Sequence, residues 1–235
     1  MTNATEPIQS PAATADHSRF VQRVRRRWPE ALALLAPGAP DAGSIDALIQ
    51  ALLGQGHDLP AALRIARHVV LERLAVIDVE QAAPLAAVTT AMTALAEAAL
   101  EAALARSRAD ADQRHGTPRN ALGQAIDFWI VGMGKLGARE LNVSSDIDLV
   151  YVYEDEGQTD GAQSASEGAG PPQAAARAPA GGAATQSPGG SISAHEYFAK
   201  VARGRQALES ELEERRVGKE VEGEWRSRGK SGQSE

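Results

Sequence analysis

Between Ser44 and Leu53 the apolar residues Ile45, Leu48, Ile49 and Leu52 recur three and four positions apart, the interval of one helix face. Ser44 stands ahead of them as an N-cap and Gly54 lies just past the end, so a short amphipathic helix is predicted. A second helix is predicted from near Asp58 and Pro60 to about Asp78. It carries Leu63, Ala66, Val70 and Leu74 on one face and Arg64, Arg67, Glu72 and Arg73 elsewhere. A third runs from Pro84 to about Arg106, where Leu85, Val88, Met92, Leu95 and Ala99 form a narrow apolar seam. Upstream, Arg19, Arg23, Arg25, Arg26 and Arg27 interleave with Phe20, Val21, Val24 and Trp28. This reads as the solvated face of a first helix in preference to a nucleic-acid or membrane patch.

After a polar turn region, Arg108 to Asn120, the pattern changes. Phe128, Trp129, Ile130 and Val131 form a compact β-prone run, and Leu149 to Tyr153 form a second, stopped by Glu154, Asp155, Glu156 and Gly157. From Gln158 to about Ser193 the chain is Ala, Gly, Ser, Pro and Gln with almost no large apolar residue, too little to offset its ordering entropy. A helix restarts near Ser193 with Ile192, His195, Phe198 and Val201 along it, and the polar tail beyond Ser210 offers no strand. The expected organisation is a disordered N-terminus (1–18), a helical region (19–120), the start of a strand-containing core (121–157), a disordered insertion (158–192), and a helix with a polar tail (193–235). The expected fold class is α+β, an N-terminal helical bundle followed by that core.

Charge and composition narrow the function. A formal net charge of -7 argues against a non-specific nucleic-acid binder, which needs surplus Lys and Arg to neutralise phosphates. The absence of Cys excludes disulfides and thiolate metal sites and fits a reducing compartment, the cytoplasm by default. Met1 to Ala15 are polar with no apolar stretch, so neither a signal sequence nor an anchor is expected, and no segment is expected to span a bilayer.

The candidate chemistry lies between the two strands, in Val131–Tyr153, VGMGKLGARELNVSSDIDLVYVY. Side chains two apart on a strand share a face, so Asp146 and Asp148 can share a cation. Two carboxylates suit Mg²⁺, which takes oxygen ligands and draws its remaining ones from water and substrate phosphates. Gly132, Gly134 and Gly137 let backbone N–H groups approach a phosphate, helped by a short helix expected near Ala138, and Lys135 can add a point charge. Ser145 is either a turn residue orienting Asp146 or a direct phosphate contact. Arg139 and Glu140 read as an exposed helix pair. The bland alternative is that both Asp residues are polar positions at a strand mouth, alternating with buried Ile147 and Leu149. Gly132-Met133-Gly134-Lys135-Leu136-Gly137 is also a literal dinucleotide fingerprint, with Glu154 as the ribose acid. Against a Rossmann NAD-binding protein, only Ala138 to Asn142 remain for a parallel crossover that needs about a dozen residues. A Walker A loop lacks its glycine spacing.

Gly132 to Tyr153, with its Arg-Glu-Leu-Asn-Val-Ser-Ser-Asp-Ile-Asp wording, closely resembles the first nucleotidyltransferase motif of the bifunctional glutamine synthetase adenylyltransferase and adenylyl-removing enzymes. The resemblance extends through Leu63–Leu104 and Ile192–Phe198, roughly residues 20–157 and 191–202. It implies that 121–157 begins an incomplete nucleotidyltransferase (polymerase-beta-like) core. It also implies a multifunctional, ATP-binding transferase of nitrogen metabolism, which removes AMP from a glutamine synthetase tyrosine with phosphate, releasing ADP, and elsewhere in its length adds AMP from ATP. By position, Asp146 and Asp148 would be the catalytic Mg²⁺ ligands, and Gly134, Lys135, Gly137 and Ser145 would lie near the nucleotide phosphates. Glutamine synthetase and a PII-type signalling protein are the implied partners. Ala138 replaces a glycine frequent in the family motif. The third carboxylate of such folds has no counterpart, since Glu209, Glu211, Glu213 and Glu214 fall in a charged run, and the tail from about Gly204 departs from the family. The expectation is therefore an N-terminal fragment inactive alone, with a non-catalytic binding module as the alternative.

Overall fold

The computed structural model describes residues 14–161 and 190–212, with side chains to 204. Of the disorder expected for 1–18 and 158–192, residues 1–13 and 162–189 lie outside the described residues, as does the polar tail past 212, whereas Thr14–Ser18 form a capped 3-10 turn with Ala15 buried, ordered because that methyl group joins the core of the helices that follow. The chain divides into two compact units. Among the described residues, one comprises 14–103, 132–150 and 208–212, and the other comprises 104–131, 151–161 and 190–207. The described residues are mostly helical with two small antiparallel sheets, an α+β arrangement.

In the first unit a short turn of 3-10 helix precedes α1 (Arg19–Arg27), α2 (Pro29–Leu34), α3 (Ala42–Gly54), α4 (Leu59–Gln81) and the opening turns of α5 (Leu85–His115). The helix starts are set by caps: Ser18 accepts from the Val21 N–H at 3.2 Å and Asp58 from the Ala61 N–H at 2.8 Å. For α3 the cap is Asp41, not the expected Ser44. Ser44 sits three residues on, donates its N–H to Asp41 Oδ1 at 2.8 Å and accepts from the Asp41 N–H on its hydroxyl oxygen at 2.9 Å, the reciprocal arrangement of a capping box. That pairing satisfies two otherwise orphaned N–H groups, which is why the helix begins earlier than its apolar face. α4 continues past Asp78 to Gln81 and closes on Ala82 in the left-handed region (φ 49°), whose N–H returns to the Ile77 carbonyl.

The expected apolar faces of α3 and α4 are buried together in one aliphatic cluster that includes Phe20, Val24, Ile45, Leu48, Leu52, Leu63, Val70 and Leu74. Glu72, only 3 % exposed, is tolerated there because the Arg25 Nε donates to it at 2.7 Å. The Arg25 guanidinium also pairs with Asp16, so one member of the Arg-rich first helix serves structure.

The third helix is longer than expected. α5 continues beyond Arg106 to His115, through what the polar composition presents as a turn. Arg106 pairs with Asp110 one turn on, and Ala111 is buried, so the extension has both a salt-bridged outer face and an inner one. At 31 residues α5 is also long and apolar enough, by length and composition, to cross a membrane, which corrects the expectation that no segment is. Its alanines and few charges produce that result, and Val88, Ala91, Met92, Ala94 and Leu95 are buried in protein.

The second unit contains the end of α5, the two-residue strand β1 (Pro118–Arg119), most of β2 (Phe128–Gly132), the last residues of β3 (Leu149–Tyr153), β4 (Gln158–Thr159) and α7 (Ala194–Leu212) up to Ala207. β1 and β4 pair antiparallel, Pro118 with Thr159 and Arg119 with Gln158. The stretch expected to lose structure from Gln158 thus opens with a strand. Gly116 (φ +75°) makes this possible, since a Cβ there would lie 2.3 Å from the Gly161 carbonyl oxygen. Phe128, Tyr197, Phe198, Ile126 and Val201 form a separate, largely aromatic cluster. The Tyr197 hydroxyl donates to Asp112 at 2.6 Å. Burial, and then this bond, push its phenol well above the ordinary tyrosine range.

Candidate carboxylate site

β2 and β3 pair with each other. The Met133 N–H bonds to the Asp148 carbonyl (2.8 Å) and the Glu154 N–H to the Asp127 carbonyl (3.1 Å), so the partners run antiparallel. A dinucleotide fold would need them parallel, and the glycine motif here belongs to the connection of a β-hairpin.

Within that connection, in the first unit, α6 (Gly134–Gly137) is a single turn. It covers the glycines themselves in place of the helix expected near Ala138. Gly134 takes φ +54°. At Gly137 an added Cβ would sit 2.4 Å from the Gly132 carbonyl oxygen, so this glycine is required by the chain's own close approach whatever else it meets. Ala138 lies at φ -80° in the ordinary helical region, so its methyl group strains nothing. The left-handed residue is Arg139 (φ 59°). It does not form the expected helix pair with Glu140, because its Nη2 donates to both carboxylate oxygens of Glu97 on α5, at 3.0 and 2.8 Å.

Leu136, Leu141 and Val143 are buried in the aliphatic cluster, and Ile147 and Leu149 pack against it. They fix the chain between them in an extended alternation in which Asp146 and Asp148 are exposed while Ile147 and Leu149 are half-buried. β3 itself begins at Leu149, so the two acids precede the strand they were expected to open, yet they keep the period-two placement on one side. Ser145 Oγ donates to Asn142 Oδ1 at 2.7 Å and accepts from Lys135 Nζ at 3.3 Å. Asn142 Oδ1 also accepts from the Ser144 N–H at 3.2 Å. Ser145 is thereby a turn residue ahead of Asp146, and it also brings the Lys135 ammonium to the same end of the loop. Sequence reasoning passed over Asn142, although an Asn two residues before Ser-Ser is a recognisable side-chain-to-backbone turn signal.

The structure therefore gathers Gly134, Lys135, Gly137 and Ser145 in the loop that leads to Asp146 and Asp148. Among the described residues there is no group of three or more His, Cys, Asp or Glu side chains able to enclose a metal ion. Two exposed carboxylates still match the chemistry of a cation that keeps most of its waters and borrows phosphate oxygens.

A capped helical layer presenting an Asp-x-Asp segment from a glycine-turned hairpin defines an α+β protein with an anionic surface site. A profile of the family described as glutamate-ammonia ligase adenylyltransferase matches residues 12–170, and the chain belongs to that family. Its relatives include proteins named bifunctional glutamine synthetase adenylyltransferase/adenylyl-removing enzyme. The one from Burkholderia mallei is 36 % identical over 212 residues, covering 86 % of this chain and 20 % of that protein. Those from Ralstonia nicotianae and Bordetella pertussis are 39 % and 50 % identical, over 66 % and 42 % of this chain and 18 % and 11 % of theirs. The chain spans about a fifth of the length of the relatives it matches.

Proposed function

We propose that the hairpin site is part of the nucleotidyltransferase core of an enzyme acting on glutamine synthetase, the part that removes AMP from a tyrosine of that protein. The observation that carries this reading is the placement of Asp146 and Asp148 on the exposed side of an extended segment anchored by Ile147 and Leu149, beside Lys135. Phosphorolysis forms a bond between a phosphate oxygen and the adenylyl phosphorus and breaks the bond from that phosphorus to the tyrosyl oxygen, giving ADP and free tyrosine. Asp146 and Asp148 would hold Mg²⁺, which when bound supplies positive charge against the phosphate oxygens of such an in-line displacement. Lys135 would add a positive charge on the nucleotide phosphates. Ser145, engaged with Asn142, sets the direction from which Asp146 enters, and Gly134 and Gly137 keep the backbone close to the phosphate path. The family membership and the relatives' names support glutamine synthetase as the protein substrate, and a PII-type protein as regulator belongs to the same reading.

With two carboxylates in place among the described residues, this chain by itself is expected to hold Mg²⁺-nucleotide without turning over adenylylated glutamine synthetase. The test is calorimetric titration of Mg²⁺-ADP into the chain and into the Asp146→Asn/Asp148→Asn variant. Magnesium-dependent binding is expected in the first and absent in the second, while docking on glutamine synthetase survives in both. Equal magnesium dependence in the two proteins would sink the assignment of the acids, and rapid phosphate-dependent ADP release by the chain alone would refute its inactivity.

A further inference from the structure

The last carbonyls of a helix need donors, and at α6 the chain supplies them within a single reversal. The Arg139 N–H bonds to the Leu136 carbonyl at 3.0 Å and the Glu140 N–H to the Lys135 carbonyl at 2.8 Å. With Arg139 at φ 59°, these two bonds make a Schellman closure, whose left-handed position commonly falls to glycine because a Cβ is strained there. An arginine gains the turn nothing locally, so the reason for it lies with its side chain. Its Nη2 donates to both carboxylate oxygens of Glu97, at 3.0 and 2.8 Å. Glu97 stands on the stretch of α5 whose Met92 and Leu95 are buried in the aliphatic cluster. The turn is therefore attached twice, from beneath by the buried Leu136 and from outside by Arg139. Between these attachments lies Lys135, its carbonyl held in the closure and its ammonium reaching Ser145 Oγ at 3.3 Å.

We propose that Arg139 is a positioning residue for the phosphate site: paired with Glu97, it fastens the α6 turn to α5 and thereby sets where the Lys135 ammonium stands. The inference rests on the nucleotidyltransferase reading above and adds α5 to that site, as the element against which the lysine is aligned. The guanidinium acts through Lys135 and is itself occupied by a carboxylate.

Alignment and simple charge predict opposite signs, and calorimetry of Mg²⁺-ADP binding to the full 235-residue chain separates them. Glu97→Ala keeps a good helix former at an exposed position and removes a negative charge, which by Coulomb's law alone favours an anionic ligand. Loss of alignment instead weakens binding, by about two- to fivefold for an exposed pair. The Arg139 and Glu97 side chains are 71 % and 48 % exposed, so the melting temperature is expected to hold. A merely structural pair would move the melt and leave the affinity. Arg139→Gly supplies the residue that suits the turn and should still weaken binding. The double variant Glu97→Ala/Arg139→Gly should be no weaker than Arg139→Gly alone, because the second change has no pair left to break. Glu101→Ala, at an exposed position one turn further along α5, removes the same charge outside the pair and should not weaken binding. Without nucleotide, NMR should find faster exchange of the Arg139 and Glu140 amides in Glu97→Ala. Unchanged or tighter ADP binding in Glu97→Ala, additive losses in the double variant, or unchanged amide exchange would each overturn the proposal. The reading beneath it fails separately: an unmodified chain that does not bind Mg²⁺-ADP removes the phosphate site and this role for Arg139, even where amide exchange shows the turn fastened to α5.

Discussion

The buried cluster of the first unit is aliphatic and drawn from successive helices, whereas that of the second is small, aromatic and assembled from distant parts of the chain. In the first, Ile45, Leu48, Leu52, Val70 and Leu74 come from two neighbouring capped helices, and many side chains share the burial. In the second, Phe198 carries much of the packing. Its ring stacks on Phe128 at 4.7 Å and on Tyr153 at 5.2 Å, and Tyr197 meets it edge-on at 5.1 Å. Stability is thus spread over many side chains in one unit and concentrated in a few in the other.

The largest expected effect follows from that concentration. Phe198→Ala should cost about 3–5 kcal/mol. Hydrogen exchange should show protection lost across Ile126, Phe128 and α7 while the amides of Leu48, Leu52 and Val69 keep theirs. Uniform loss in both units would mean that the two clusters are one cooperative structure.

A smaller loss is expected from Tyr197→Phe, which removes the bond to Asp112 and leaves a half-buried carboxylate without that donor. A hydrogen bond to a charged group contributes about 1.5–3 kcal/mol, and chemical denaturation should find a loss toward the lower end because Asp112 keeps some solvent. No change in midpoint would show that the phenol bond adds nothing beyond ring packing.

The mildest effect concerns pH. The side-chain bond from Arg119, together with the Thr117 N–H, holds the Asp160 carboxyl below the ordinary aspartate range. Its contribution is therefore complete above the unfolded value of about 4 and is lost as pH falls through the lower folded value. For a partly exposed pair that contribution is about 1 kcal/mol or less. The melting temperatures of the wild type and Asp160→Asn should differ near neutral pH and converge in acid. A gap that stays constant down to pH 2 would assign the difference to something other than this ionisation.

The same contrast explains what could be read from the sequence. The inner faces of α3 and α4 were legible because a 3.6-residue period in Ile45, Leu48 and Leu52 has few other solutions. The six-residue α2 is too short to show a period. The β1–β4 pair rests on two residues per strand and on Gly116, and nothing at Pro118 announces its partner at Thr159. The last turns of α5 look polar because only Ser107 and Ala111 are buried there, and neither is a large apolar residue. At the site, the placement of Asp146 and Asp148 was legible from their alternation with Ile147 and Leu149. The bond from Arg139 to Glu97, between residues 42 apart, leaves no local signature, and neither does the left-handed turn that directs it.

The alternation along Ser145–Leu149 also acts as a reading frame for chemistry. The cluster beneath recognises only apolar side chains, so it selects which of two interleaved sets faces water, and the acids are exposed because Ile147 and Leu149 are claimed. Removing a single residue between Val143 and Asp146 would shift that frame by one place, asking the core to accept carboxylates and offering isoleucine and leucine to a cation. Two half-buried aliphatic side chains thus determine where the charge stands, and substitutions beneath the surface can displace both carboxylates without changing either aspartate.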